Sequence, residues 1–402
     1  MNTNKVAIIG GGISGLTFAR LCKEKNIDFI LLEKADELGG CIATHHFSEC
    51  DKVEMGAHTS YNTYASLLDL INQEQCIDQM EKKGKGSFKL YEGGFISMLR
   101  KLNVLELITH LAKMPWTNKS GKTISEYYSK VLGKKNYDAV FNHMFSALLS
   151  QNAKNFPAEM LFKKRKAQKE FPKKFNFKNG MSTIILQLAR DLNIKKGFEV
   201  SRIFKQGNEY ILESGKDHTN AIAAKFLVFA TPPSNIKDII SSVEPQLSEL
   251  LKQFGGTDVE SFAIRVSKTD TVIPEMAGAI GIEQEFYSII SMDPYNITEQ
   301  KSRSFVFHFK PNLLSSQQKF DTILKVMNLS QDQVLDKYEK ITTFPIIPLN
   351  YKELVKQIAD VSADRQLTFI GNYFDGTSIE DCIQRAKKEF NRLDQSGRFQ
   401  NL

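Results

Sequence analysis

The stretch KVAIIGGGISG, residues 5–15, decides the fold of this chain. Its first half is a short apolar run rich in β-branched residues, which is typical of a buried parallel strand. Gly10, Gly12 and Gly15 then follow in the spacing G-x-G-x-x-G, and residues 16–25 space their apolar side chains as an amphipathic helix does. A strand, a glycine turn and a helix in this order predict the first half of a dinucleotide-binding βαβ unit.

Each glycine of this turn has its own physical role. Gly10 allows the tight turn, Gly12 lets the backbone approach a pyrophosphate, and Gly15 lets the helix pack close to the strand. The helix N-terminus at Ile13 and Ser14 offers free N–H groups and a partial positive charge to phosphates. The alternative is a glycine turn in an α/β domain that carries no ligand.

A second apolar strand, DFILLE at residues 28–33, ends in an acid. Glu33 lies 18 residues beyond Gly15, where a carboxylate can accept hydrogen bonds from both ribose hydroxyls. The same charge repels a 2′-phosphate, which argues against NADP. The unit therefore predicts a dinucleotide without that phosphate.

A second pair of glycines follows the acid and favours FAD over NAD. Gly39 and Gly40 lie between Lys34 and Cys41. A second close approach of the backbone suits a long cofactor that lies extended across the edge of the sheet. A further glycine turn comes soon afterwards, at Met55, Gly56, Ala57 and His58.

In this order the blocks resemble the FAD-dependent amine oxidase superfamily, which includes monoamine oxidases, protoporphyrinogen oxidases and phytoene desaturases. Two later segments strengthen the resemblance. Residues 177–182 open a helix that is followed by Val200, and an apolar strand ends at Ala230, Thr231 and Pro232. In the family the valine backbone touches the adenine and the A-T-P strand closes the cofactor domain, so the resemblance implies that these residues bind FAD.

The segment GNYFDGTSIEDCI, residues 371–383, resembles the C-terminal turn of protoporphyrinogen oxidases in particular. Gly376 allows an unusual turn, and Ser378 is a good N-terminal residue for the helix that follows. A helix N-terminus directed at the flavin would stabilise the negative charge that reduction brings. Taken alone, the segment also fits an ordinary capped helix. The resemblance implies flavin contacts from Gly371, Asn372, Ser378 and Ile379.

We therefore expect an α/β fold with a discontinuous Rossmann-like FAD-binding domain, a mixed-sheet substrate domain and a helical insertion. The FAD-binding domain takes residues 1–75, 180–240 and 355–402. Residues 76–179 are the helical insertion, facing a membrane or the substrate entrance, and residues 241–354 are the substrate-binding sheet.

Composition excludes several classes of protein. The 402 residues are 42% hydrophobic and 25% charged, which is typical of a globular protein. No apolar run approaches the roughly 20 residues of a membrane span. Scattered cysteines without a C-x-x-C pair, and histidines without ligand spacing, predict neither disulfides nor a metal site. We expect a cytoplasmic protein with a small-molecule substrate and no nucleic-acid partner, since no recognition module is present.

Residues 162–178 carry eight basic side chains against the single acid Glu170, with four phenylalanines interleaved. Three interpretations stay open. The segment is a solvated basic face, a contact with an anionic membrane surface, or a docking patch for an acidic substrate. The second would make the protein peripheral to the inner face of a membrane.

No acid–base constellation stands out, so no catalytic residue is assigned. The resemblance implies hydride transfer from a protoporphyrinogen-like or amine-like C–H donor to the flavin N5, with reoxidation by dioxygen or another acceptor. His58 follows the third glycine turn, where either a role near the cofactor or a structural hydrogen bond is open. Cys382, near the flavin end, fits a small packed residue better than a covalent attachment site.

Two departures from the family leave other functions open. Cys41 stands where many relatives have an arginine that contacts the pyrophosphate. Residues 87–94 lack the arginine that meets a substrate carboxylate in protoporphyrinogen oxidases, and Lys89 is the nearest cation. The alternatives are a non-oxidative flavoenzyme of the UDP-galactopyranose mutase type and a non-catalytic flavoprotein-like binding protein.

Overall fold

The computed structural model describes residues 4–49, 51–215, 220–295 and 301–400, so Cys50 and His218 lie outside the described residues. The strands are β1 (Asn4–Ile9), β2 (Phe29–Leu32), β3 (Thr44–His46), β4 (Lys52–Glu54), β5 (Ser60–Tyr61), β6 (Met80–Lys82), β7 (Phe88–Tyr91), β8 (Phe95–Ser97), β9 (Lys174–Phe177), β10 (Ile194–Lys195), β11 (Val200–Gln206), β12 (Glu209–Ser214), β13 (Asn220–Phe229), β14 (Gly255–Ser267), β15 (Gly278–Gly281), β16 (Phe286–Ser291), β17 (Ser302–Phe309), β18 (Val334–Ile346) and β19 (Leu367–Phe369).

Helices connect and cover these strands, and a π turn at Tyr137–Phe141 joins two of them. They are α1 (Ile13–Glu24), α2 (Ala65–Gln73), α3 (Val104–Leu111), α4 (Ile124–Leu132), α5 (Lys134–Asn136), α6 (Asn142–Leu149), α7 (Ser182–Ala189), α8 (Pro233–Ile236), α9 (Pro245–Leu251), α10 (Ser316–Met327), α11 (Tyr351–Ser362) and α12 (Ile379–Gln395).

The first sheet has the order β10-β2-β1-β13-β12-β11, and β19 pairs with β13. β1 pairs in parallel with β2 and β13, while β11, β12 and β13 form an antiparallel meander. Val6 and Ile8 pack on one face against α1 and α12, and Ala7 and Ile9 pack on the other face beneath α4 and α11. Because both faces are covered, the parallel strands are apolar throughout, which is why β1 was readable as a continuous apolar run.

The second sheet has the order β18-β14-β17-β16-β15-β7-β8 and is antiparallel except where β7 runs parallel to β15. One face packs on α10 through Phe262, Phe307 and Ile323. The opposite, inner face carries Ala263 and Val306, which pack against the segment around β4. The second sheet therefore lies directly against the loops that leave the first.

Residues 76–179, predicted as a helical insertion, contain strands as well as helices. β7 and β8 complete the second sheet, and β6 and β9 form a small sheet with β5. These strands are three or four residues long, so their alternation is too brief to be distinguished from loop in the sequence. Among the helices of the described ranges, none combines the length and apolarity that crossing a bilayer requires.

Candidate functional site

The glycine turn between β1 and α1 is closely packed and has one open side. Gly10 has φ +112°, and a Cβ there would lie 2.7 Å from the Cγ2 of Thr231. A Cβ on Gly15 would collide with the carbonyl oxygen of Gly10. Around Gly12 the nearest atom to such a Cβ is 3.8 Å away, so this face of the turn is free. Gly10 and Gly15 therefore serve packing, and Gly12 leaves room for a ligand.

The N-terminus of α1 lies at the same place and has no side-chain cap and no acidic residue in its first turn. Its first N–H groups are therefore available to an acceptor, and the helix dipole gives this end a partial positive charge. Ile13 and Ser14 form that first turn. A phosphate is the ligand that such a terminus suits best.

The second glycine pair closes over the first turn. Gly39 donates its N–H to the carbonyl of Gly11 over 2.9 Å, and Gly39 forms a parallel bridge with Gly12. The nearest atom to a Cβ on Gly40 is the Cα of Gly12, at 3.9 Å. The open faces of Gly12 and Gly40 therefore border the same space.

The third glycine turn is built on the second. Ala57 donates its N–H to the carbonyl of Cys41 over 3.1 Å, and a Cβ on Gly56 would collide with that same oxygen. Met55 donates its N–H to the carbonyl of Ala43, and its side chain is buried. The packing between these turns requires glycine at position 56.

Glu33 lies beside the first turn at the end of β2. Its carboxylate accepts the N–H of Gly11 at 2.7 Å and of Ala35 at 2.9 Å. Two such bonds leave lone pairs for further donors. The backbone oxygen of Glu33 accepts the N–H of Phe198, two residues before Val200 at the start of β11. The exposed Lys34 follows on the surface.

The carboxyl ends of four parallel strands meet at this place. Ala230 donates its N–H to Ile9 over 2.8 Å, and Ile370 donates to Phe229 over 2.8 Å. Gly10 likewise donates to the carbonyl at the end of β2. The A-T-P segment, ending at Thr231 and Pro232, and Gly371 with Asn372 therefore leave the sheet side by side. In open α/β sheets, ligands bind at the carboxyl ends of the strands.

The first turn of α12 reaches the first turn of α1. The thiol of Cys382 hydrogen-bonds to Ser14, and Ile13 and Ile379 are buried in the same apolar cluster. Burial raises the pKa of the Cys382 thiol to about 12 and that of Cys41 to about 11, so both thiols are protonated near neutral pH. They are packed side chains and not nucleophiles in this state.

An ion cluster that the sequence did not indicate caps α12. Ser378 and Asp381 form a capping box, and the carboxylate of Asp381 also binds Lys163 at 2.8 Å and Arg165 at 2.7 Å. Both cations come from the basic segment 162–178. The cluster ties that segment to the C-terminal helix across more than two hundred residues of chain, a pairing that no local spacing could reveal.

The phenylalanines of the basic segment lie mostly in the core. Phe175 and Phe177 are buried in the core as part of β9, and Phe171 packs against the same cluster. Of the four phenylalanines of this segment, only Phe162 is exposed. The period-two placement of Phe175 and Phe177 is the signal that could have identified a strand here.

Asp381 makes stability depend on acid pH. Burial by itself would raise the pKa of Asp381, but the hydrogen bonds from Lys163 and Ser378 and the charges of Lys163 and Arg165 outweigh it and hold the pKa below its usual range. A carboxyl whose pKa is depressed by folding contributes stability above its unfolded pKa of about 3.9, and that contribution is lost as pH falls through the folded value.

We therefore expect the melting temperature of Asp381→Asn to lie below that of the wild type at neutral pH and to approach it as the pH falls below about 4. Asp360→Asn, an exposed change on α11, is the control and should follow the wild type at every pH. A constant difference between Asp381→Asn and the wild type down to the lowest pH would contradict this assignment. Thermal denaturation over a pH series measures it.

A polar row crosses the inner face of the second sheet opposite these turns. Ser261 on β14, His308 on β17 and Ser288 on β16 are direct cross-strand neighbours. The hydroxyl of Ser261 lies 2.8 Å from His308 Nδ1, and all three residues are buried. Within the described part of the chain, the hydroxyl of Ser288 has no hydrogen-bond partner. A buried hydroxyl in this state has an unused hydrogen-bonding capacity.

His58 brings the third glycine turn to this row. Tyr295 donates its hydroxyl to the carbonyl of His58 over 2.9 Å. Burial, then the charges of Lys83 and His308, lower the pKa of His58 to about 3, and burial lowers the pKa of His308 to about 4. Both imidazoles are therefore neutral at physiological pH and can donate or accept hydrogen bonds without carrying charge.

Lys83 is the cation near His58, and the sequence did not single it out. Its ammonium donates to the hydroxyl of Thr59 over 2.8 Å, and burial, with the charge of Lys174, lowers its pKa to about 8. Lys89, the cation nearest to the missing arginine in the sequence, lies elsewhere. Leu90 pairs with Ile280, and Ile280 pairs with Ser288, so Leu90 lies on the same face of the sheet as the polar row. Lys89, the preceding residue of the strand, therefore lies on the opposite face.

Comparison with known proteins agrees with this geometry. Residues 8–73 match the family described as NAD(P)-binding Rossmann-like domain. A protein from Exiguobacterium sp. 255-15 assigned as a protoporphyrinogen oxidase superposes with a TM-score of 0.78 at 15% identity, covering 98% of this chain and 100% of its own. Cyclohexylamine oxidase from Brevibacterium oxydans IH-35A superposes with a TM-score of 0.66 at 14% identity, covering 98% and 100% of the two chains.

The chain shares its fold with these two proteins over nearly its whole length. Within that fold, the CLA-producing fatty acid isomerase from P. acnes is also similar, with a TM-score of 0.75 at 12% identity over 97% of this chain and 98% of its own. The flavin-containing amine oxidase of Oncorhynchus mykiss is 44% identical over 55 residues, 14% of this chain. That match spans one tenth of the amine oxidase, 10% of its length. The resemblance to the superfamily inferred from the glycine blocks is confirmed at the level of fold.

Proposed function

We propose that this chain is an FAD-dependent oxidoreductase that takes hydride from a C–H donor, amine-like or protoporphyrinogen-like, with dioxygen or another acceptor as the final oxidant. The observation that carries the proposal is the shared open space beside Gly12 and Gly40, at the uncapped N-terminus of α1. Backbone amides, a dipole and the absence of Cβ atoms are what a pyrophosphate requires.

The geometry beside the glycine turns suits the pyrophosphate and ribose of FAD. Gly12, Ile13 and Ser14 would hold the pyrophosphate in the turn that Gly10 and Gly15 shape, and Glu33 would accept the ribose hydroxyls. When bound, FAD supplies a two-electron acceptor for the hydride. The remaining candidates for contact with FAD are Lys34, Gly39, Gly40, Cys41, Met55, Gly56, Ala57, His58, Val200, Ala230, Thr231, Pro232, Gly371, Asn372, Ser378 and Ile379.

The polar row supports a small-molecule substrate between the third glycine turn and the second sheet. Neutral His58 and His308 would orient a polar substrate group without attracting a counter-ion. The orphan hydroxyl of Ser288 would supply a further hydrogen bond. Lys83 would attract an anionic group of the substrate, in place of the arginine that residues 87–94 lack.

The test is the visible absorption spectrum of the purified protein, which we expect to be yellow. Stripped of flavin, the protein should regain stability on addition of FAD, by about 2.7 kcal/mol at a free concentration a hundred times Kd. NAD is the matched control ligand and should not stabilise it. Anaerobic addition of an amine or of protoporphyrinogen should bleach the flavin. Colourless protein that FAD leaves unstabilised would overturn the proposal.

A non-oxidative flavoenzyme is the second candidate, and the similarity to a fatty acid isomerase favours it. In that case the substrate should be isomerised without net consumption of an electron acceptor. Oxygen uptake measured together with product formation separates the two candidates.

A further inference from the structure

α3 (Val104–Leu111) exposes apolar residues that an ordinary surface helix would direct toward the core. Asn103 caps it, and Glu106 accepts the N–H groups of Lys135 and Asn136 at 3.2 and 3.0 Å. The exposed Thr109 donates its hydroxyl to carbonyls of the helix itself. His110 Nδ1 lies 2.9 Å from the carbonyl of Lys130 on α4. No residue of α3 is buried. The helix is therefore anchored through its polar side.

The outward side of this segment is apolar. Trp116 is 84% exposed and Leu105 is 75% exposed, although both are residues that proteins usually cover. Exposed apolar surface that continues over several neighbouring side chains marks an interaction site. We define the α3 patch as Leu99, Val104, Leu105, Ile108, Met114 and Trp116.

Basic residues flank the α3 patch, although Lys101 pairs with Glu92 at 2.6 Å and Lys134 pairs with Asp138 at 2.7 Å. Residues 98–135 contain eight lysines and arginines against two acids, Glu106 and Glu126. Glu106 accepts the N–H groups of Lys135 and Asn136, so its carboxylate lies on the side of α3 that faces the protein. Arg100 and Lys113 are exposed on the turns at either end of α3. The patch is thus apolar at its centre and basic at its edges.

We propose that the α3 patch docks on an anionic phospholipid membrane surface. An apolar helix face with an interfacial tryptophan and flanking lysines or arginines is the chemistry that the boundary of such a bilayer accepts. A second copy of the chain is disfavoured because a two-fold interface would bring the two basic edges together. The inference goes beyond the proposed function and does not depend on a cofactor.

The basic segment 162–178 does not offer the same chemistry. Phe175 and Phe177 are buried, and Lys163 and Arg165 are held by Asp381. Its apolar residues are therefore largely used by the core. Phe162 is the one exposed phenylalanine of this segment, whereas the α3 patch combines six exposed apolar side chains.

Trp116 makes the test direct, since it is the only tryptophan in the chain. With vesicles of equal parts phosphatidylglycerol and phosphatidylcholine, we expect co-sedimentation and a blue shift of tryptophan emission. With phosphatidylcholine alone, both should be much weaker. Leu105→Ser with Ile108→Ser should lower the fraction bound at least tenfold, and Arg100→Glu with Lys113→Glu should abolish the preference for the anionic lipid.

Leu186→Ser with Val272→Ser is the matched control, because these two residues are 67% and 80% exposed elsewhere on the surface. It should bind as the wild type does. The inference is overturned if the anionic vesicles neither sediment the protein nor shift its emission, or if patch and control variants lose binding equally. It is also overturned if light scattering shows that the wild type is a dimer and the patch variant is a monomer, since the patch would then bind a second copy. Circular dichroism verifies that each variant is folded.

Discussion

Replacement of Gly12 by valine is expected to abolish FAD binding and to leave the protein folded. Gly12 has φ −76° and ψ 178°, which any residue can adopt, and the nearest atom to an added Cβ is 3.8 Å away. The side chain would instead fill the space that a pyrophosphate needs. We expect FAD affinity to fall at least about a hundredfold, or roughly 3 kcal/mol. Titration of the flavin-free variant by calorimetry or flavin fluorescence measures this loss.

Gly15→Val is the matched control for that change. Its side chain would collide with the carbonyl oxygen of Gly10 inside the turn, so it should lower the melting temperature of the protein even without FAD. The two variants therefore separate loss of a ligand from loss of packing. Wild-type affinity in Gly12→Val would mean that the space beside Gly12 is not the cofactor site.

Removal of the carboxylate of Asp293 is expected to destabilise the second sheet severely. Arg303 on β17 binds Asp293 through two bonds, of 2.9 and 2.6 Å, and the side chains are only 6% and 8% exposed. In Asp293→Ala the guanidinium would stay buried without its counter-ion. Breaking a buried pair from one side costs about 3–5 kcal/mol. The free energy of unfolding in urea measures the loss.

Asp336→Ala provides a comparison with a second arginine of the same sheet. Asp336 is 42% exposed, and its partner Arg265 keeps a second carboxylate, Asp51, at 2.8 Å. We expect this variant to lose less than about 1 kcal/mol, as exposed ion pairs do. Equal losses in the two variants would contradict the role assigned to burial. A loss that is large in Asp293→Ala alone identifies the stranded Arg303 as the cause.

The parts of the site that could be predicted are those in which a glycine or an acid is required by its immediate neighbours. Gly10, Gly15 and Gly56 are each confined by a backbone or side-chain atom of an adjoining turn, and such positions leave a mark in the residue order. Glu33 is likewise placed by the strand that it ends. Spacing along the chain therefore predicted these residues without knowledge of the sheet.

The order of residues alone predicted the dinucleotide-binding unit, because its glycines and apolar runs are local, and the superfamily followed from a resemblance of the glycine blocks. Only the tertiary structure decided which side chains lie together on the inner face of the second sheet. The row of Ser261, His308 and Ser288 arises from register between separate strands, and a slip of one residue would turn every member away. Burial, which no spacing encodes, keeps His58 and His308 neutral.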